Sequence, residues 1–268
     1  MTVMKEKSLL IVILKGEIKI DDLEMKKYLN EKGIAITGYY FKHDRNIDRR
    51  EFTDQVNLIV ELHKTLIGCK FSGLNRLGSI IGKEVEDFKV QIKRLQKDYN
   101  HIVDKCCKND VDKLILLEGR RILQQGMESV NYIYKHDYFG VIERSMNREE
   151  ICIGRVDQGN LKGSKGKFEI GSIKDMTYNL VEEDLYRYIK RLQRRQFDID
   201  ENELIKIFVH GSHLASNSFD YLRGLCSYPK DFLKTWERYR QNKKRKTDEE
   251  FLEELKKSMK YETNISIF

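Results

Sequence analysis

The chain has 268 residues, 40% hydrophobic and 35% charged, with 50 Lys and Arg against 43 Asp and Glu and a formal net charge of +7. That length supports one large or two modest domains with a sizeable core, and the mixed signs exclude a one-signed polyelectrolyte while favouring anionic partners. The five cysteines contain no C-x-x-C, which excludes a disulfide framework and implies reduced thiols in a cytoplasmic protein.

The apolar run Leu9–Leu14 is too short to span a membrane or to serve as an export signal, and reads as a buried strand within Ser8–Leu14. Asp21 or Asp22 can cap a helix over Leu23–Asn30, Gly33 stops it, and the β-branched and aromatic stretch Ile34–Phe41 predicts a second strand. From Asp48 the period becomes helical: Phe52, Val56, Ile59, Val60, His63 and Ile67 share a face, and Gly68 ends the run. Further helices are predicted over Glu84–Cys106 and Val111–Tyr134. Residues 151–181 hold five glycines around strand-like pieces at Glu150–Ile153 and Lys167–Ile173, the pattern of a hairpin carrying a functional loop inside a helical domain. Helices follow over Val181–Gln196, Glu201–His210 and Pro229–Asn242, then the basic stretch Lys243–Lys246 and a polar helix Asp248–Lys260. A single proline, Pro229, fits long uninterrupted helices.

The stretch ICIGRVDQGNL, residues 151–161, has the outline of a phosphotransferase catalytic loop, where an Asp stands five positions before an Asn. Phosphoryl transfer needs a carboxylate to orient the acceptor hydroxyl and further groups to hold Mg²⁺ on the phosphates. Here Arg155 takes the first position and Asn160 the second. A guanidinium has only donors and stays protonated, so it cannot accept a proton. After the strand Lys167–Ile170, the place of the metal-gripping Asp is held by Ser172, with Lys174 nearby. Serine brings no charge and lysine the wrong sign for a hard dication. A rival register would rebuild the site from Asp157, Asn160 and Asp175; loop aspartates also serve as turn residues.

Five segments, LHKTLIG, VDKLILLEG, ICIGRVDQGNL, YNLVEEDLYRYIKRL and YPKDFLKTWERYR, occur in one order over residues 36–245. In this the chain resembles the spore coat protein S (CotS-like) family, of the aminoglycoside phosphotransferase and choline kinase-like, protein kinase-like fold. The resemblance implies a mostly helical α+β protein similar to the C-terminal lobe of such a kinase. A reduced N-terminal β-α-β portion would span residues 1–47, the helical lobe 48–242 with the loop relic at 150–175, and a basic linker with a polar helix or tail 243–268. Gly154 and Asn160 match the family's His-Gly-Asp-x-x-x-x-Asn pattern, while Ile153 and Arg155 depart from it, and Ser172-Ile173-Lys174 stands in place of the metal motif. Asp184 matches the Asp that braces the catalytic loop. Residues 1–35 are too few for a nucleotide lobe; Gly16 and Lys19 read as a turn glycine and a surface lysine.

The resulting expectation is a non-catalytic, pseudokinase-like spore coat or sporulation protein that binds other proteins, in the mother-cell cytoplasm or the coat, with no cofactor and no metal site. The enzyme alternative is a divergent small-molecule phosphotransferase using ATP and Mg²⁺ through Asp157, Asn160 and Asp175. A third reading is a binder of a small anionic ligand through Arg155 and Lys174.

Other candidates have structural readings. His63 is expected to be a satisfied core histidine, and His210 and His213 lack further metal ligands nearby. Arg187, Lys190, Arg191, Arg194 and Arg195 read as a solvated helix face; without interleaved aromatics this speaks against nucleic acid. Tyr228, Phe232, Trp236 and Tyr239 form a helix stripe expected in the core, or on a docking surface where exposed.

Overall fold

The computed structural model of the chain describes residues 20–43, 48–68, 77–104, 109–164, 166–241 and 246–262. The expected strand Ser8–Leu14, with Gly16 and Lys19, lies outside them, as do Lys243–Arg245 of the basic stretch.

Helix α1 (Ile20–Glu31) leads through Gly33, at φ +80°, into a three-residue strand β1 (Ile34–Ile36). The strand expected through Phe41 is therefore shorter. Gly38, at φ +81°, turns the chain, and the amide of Phe41 donates to the carbonyl of Gly159 instead of to a sheet neighbour. Residues 37–43 thus form a strap laid across the Gly-rich loop.

Helix α2 (Arg49–Leu66) begins in a capping box: the Asp48 carboxylate accepts from the amides of Arg50 and Glu51, and Glu51 reaches back to the Asp48 amide. Its periodic face, Phe52, Val56, Ile59, Val60 and His63, is buried. Helices α3 (Lys83–Asp104) and α4 (Asp110–Lys135) pair along similar faces. Helix α5 (Tyr138–Asn147) carries no expectation from the sequence, yet it supplies Arg144, whose guanidinium grips Glu182 through two hydrogen bonds of 2.7 and 2.9 Å and Glu150 through one of 2.8 Å.

The Gly-rich region is two small sheets, not one hairpin. Strand β2 (Ile151–Cys152) pairs antiparallel with β5 (Thr177–Tyr178), and β3 (Leu161–Ser164) pairs antiparallel with β4 (Lys167–Ile170). Strand β1 joins β4 in parallel, Ile34 facing Phe168 and Ile36 facing Ile170, giving the order β1-β4-β3. That pairing carries the strap to the loop.

Helices α6 (Glu182–Arg194), α7 (Glu201–Gly211), α8 (Ser216–Ser227), α9 (Lys230–Gln241) and α10 (Asp248–Glu262) complete the layer. Tyr228, Phe232 and Trp236 are fully buried, Tyr228 stacks on Phe88 at 3.6 Å, and the Trp236 indole donates to Asp98 at 2.7 Å. These three residues of the stripe are core, and Tyr239 is half-buried. The helix read as a polar tail buries Phe251 and Leu255 and ends in the core: Glu262 accepts from the amides of Asp231 and Phe232 and pairs with the buried Lys190. Among the described residues no helix is long and apolar enough to cross a membrane.

Gly224 marks a close contact between α8 and α4, because a Cβ there would run into the Ile133 side chain. Alanine favours a helix by about 0.5–1 kcal/mol over glycine, but overpacking a core costs about 1–3 kcal/mol. Gly224→Ala is therefore expected to lower the urea midpoint; a raised midpoint would show that the α4–α8 contact yields freely.

Candidate functional site: a loop with inverted charge

The loop 153–160 is shaped by what lies beneath it. Glycine at 154 adopts φ +82°, and a side chain there would collide with Asp175. The amides of Ile153 and Gly154 both donate to the buried Asp184 carboxylate, at 2.9 and 2.8 Å, and His63 Nε2 meets the same carboxylate at 3.0 Å. Asp184 lies in the first turn of α6, where the helix dipole favours an anion. The Gln55 amide donates to the carbonyls of Val156 and Leu161 at 2.6 and 3.3 Å, fixing the loop to α2.

On this frame the three relic positions fall as follows. Asn160 is fully buried, and its amide group donates to the carbonyls of Arg155 (2.7 Å) and Ser172 (3.1 Å) while its oxygen accepts from the Ser172 amide at 2.8 Å. It ties the loop to the Ser172 segment, and both amide hydrogens are spent. Ser172 offers a hydroxyl near the Lys174 amide (3.5 Å). Arg155 folds back on the loop, its Nε donating to Asp157 at 3.0 Å and its guanidinium lying 4.2 Å from the Tyr40 ring of the strap.

Asp157, the rival base, is 3% exposed and occupied: Arg155 and Arg191 both donate to it, as does the Gly159 amide at 2.8 Å. Such a carboxylate has no free face for a hydroxyl or a dication. Asp175 is exposed and its backbone packs on Gly154. Among the described residues, no group of three or more Asp, Glu, His or Cys side chains is arranged to hold a metal ion. Asp157 and Asn160 thus meet protein partners where the rival register would need free oxygens for Mg²⁺. Lys174 is exposed, and its backbone amide lies 3.5 Å from the Ser172 hydroxyl.

The residues that sequence reasoning missed are the arginines of α6. Read as a solvated face, they are engaged: Lys190 is buried against Glu262, Arg194 pairs with Asp231 at 2.7 Å, and Arg187 meets Glu183 at 3.4 Å. Arg191 reaches Asp157, and Arg195 lies 3.3 Å from His43 Nε2 in the strap. The signal was the spacing: 187, 191 and 195 are four apart and share one helix face. That face looks at the loop. Burial, and then the positive charges of Arg155, Arg195 and Arg194, hold Arg191 below the usual arginine value against the pull of Asp157. Beside the loop, a cleft of about 640 Å³ is lined by Lys42, His43 and Lys162 and by Glu51, Asp54 and Glu61 of α2.

No protein-family model matches the chain. No curated protein sequence matches it. Among solved structures, it is similar to an aminoglycoside phosphotransferase from Alicyclobacillus acidocaldarius, with a TM-score of 0.68 and 12% identity, over 89% of this chain and 78% of that one. At that identity the likeness is one of fold: this chain has the kinase-like fold of an aminoglycoside phosphotransferase.

Proposed function

We propose that this protein keeps the kinase-like fold without phosphoryl transfer and acts by binding other molecules. One observation carries the reading: Asp157, the carboxylate within the loop, is paired with both Arg155 and Arg191. A base must be free to take a proton, and Mg²⁺ must find anionic oxygens. The frame that would hold a catalytic loop is present in Asp184, His63 and Gln55, while the reacting positions carry a cation at Arg155 and no charge at Ser172.

The partners we favour are proteins, and a role in sporulation or the spore coat rests on the motif resemblance alone. On α5, Phe139 and Met146 are 68% and 62% exposed and seven residues apart on one face, a pattern that marks interaction surfaces. The divergent-phosphotransferase alternative would need Asp157, Asn160 and Asp175 as free ligands, and the first two have their hydrogen-bonding groups committed.

The test is transfer of labelled γ-phosphate from ATP, with Mg²⁺, to a panel of amino sugars, choline and simple alcohols. No acceptor-dependent transfer is expected above a no-protein control. Turnover with any acceptor would overturn the reading.

A further inference from the structure

We propose that Arg155, Arg191 and Arg195 form a site for a phosphoryl group carried on a small molecule, bound without a metal ion. The inference rests on the non-catalytic reading, since it gives the inverted loop a ligand.

Three guanidinium groups converge from two directions. Arg191 and Arg195 descend from the loop-facing side of α6, and Arg155 rises from the loop itself. They share one carboxylate. Asp157 serves both Arg155 and Arg191, while the partner of Arg195 among the described residues is an imidazole nitrogen. Three cations against one anion leave two positive charges in excess. Of the neighbouring acids, Asp184 is committed to the loop amides and His63 and Glu183 to Asn179 and Arg187, while Glu51, Asp54 and Glu61 of α2 line the cleft beside His43.

Arg155 and Arg191 are half-buried, their side chains 29% and 35% exposed, while Arg195 is exposed. Donors also remain. Each guanidinium has five N–H groups; Arg191 spends one Nη on Asp157, and Arg195 offers both Nη atoms to His43 over 3.3 Å, a long contact that a better acceptor can replace. A phosphoryl group brings nearly two negative charges and three acceptor oxygens, matching both the excess and the number of guanidinium groups. A dication would meet the same field as repulsion. Arg191 and Arg195 join Arg155, a donor expected from sequence.

Tyr40 and His43 make the strap part of the site. Tyr40 covers one face of Arg155, and His43 sits over Gly159 while accepting from Arg195. Occupation of the site would free His43 from Arg195.

The experiment is calorimetric titration of the whole chain with inorganic pyrophosphate and with orthophosphate, in EDTA at fixed ionic strength, alongside thermal melts. Saturable binding that raises the melting temperature by several degrees is expected. Loss of one charge-assisted contact in Arg195→Gln, an exposed position at a helix end, should weaken it about tenfold without changing the unliganded melt. Arg191→Gln should weaken it further. Absence of saturable binding in EDTA, or equal binding by Arg195→Gln, overturns the site and leaves the non-catalytic reading standing. Binding only on addition of Mg²⁺ overturns the site and counts against that reading as well; phosphoryl transfer in the separate assay sinks the reading alone.

Discussion

Asp184→Ala is expected to destabilise the protein by about 3–5 kcal/mol, the cost of removing one partner from a buried charged network. The substitution strands the buried amide of Ile153 and the half-buried amide of Gly154, and takes from the buried His63 its one polar partner among the described residues. Asp184→Asn keeps the shape but trades one acceptor oxygen for a donor, so it should cost less, about 1–3 kcal/mol. Urea denaturation of the three proteins measures both. A loss below about 1 kcal/mol for the alanine variant would mean that the loop holds its shape by other contacts.

The second large effect is a dependence of stability on pH through Glu183. Burial, then the charge of Glu84, pushes this carboxyl up to about 8, against the opposing pull of Arg187, Asn179 and Lys230. Between the ordinary value of 4.5 and about 8 the folded protein keeps a proton that the unfolded chain has lost. The contribution is therefore fully present below about 4.5 and is lost as pH rises through 8. At about 1.4 kcal/mol per unit, the span from pH 5 to pH 8 is worth at most about 4 kcal/mol. Glu183→Gln should flatten that slope, because a neutral amide keeps the contacts to Asn179 and Tyr221 without titrating. A variant whose urea midpoint falls with pH as steeply as the parent's would assign the slope to other groups.

The parts of the fold that were legible in the sequence are those whose apolar period runs long and whose ends are punctuated. Helix α2 shows this best, with the Asp48 cap, a buried stripe from Phe52 to Leu66, and Gly68 at φ +65° beyond its end. Helices α5 and α8 were not legible. The first is only ten residues long, and the second opens on Ser216-Asn217-Ser218 with no side-chain cap at Ala215, a composition that reads as a turn. The strand pairing was misread for a related reason. Strands of two to four residues carry too little alternation to show which neighbour they take, and the partner of β2 lies beyond the β3–β4 hairpin.

At the loop, the chemistry of single positions was legible and its company was not. Arg155 cannot act as a base wherever it points, and Ser172 cannot carry charge, so both conclusions follow from residue type alone. That Asp157 is enclosed by Arg155 and Arg191 depends on α6 crossing beneath the loop, a contact between residues 34 apart. The same crossing brings Arg191 to Asp157 and Arg195 to His43 of the strap. Exposure of Lys174 likewise depends on the turn it occupies after Ser172.

The sign of the charge at this loop is tested most directly by the melting temperature with ATP, titrated with and without Mg²⁺. The inverted loop predicts that Mg²⁺ adds nothing to any stabilisation by the nucleotide and weakens it by competing for the phosphates. Stabilisation by ATP that appears only with Mg²⁺, and that disappears in Asp157→Asn, would contradict it.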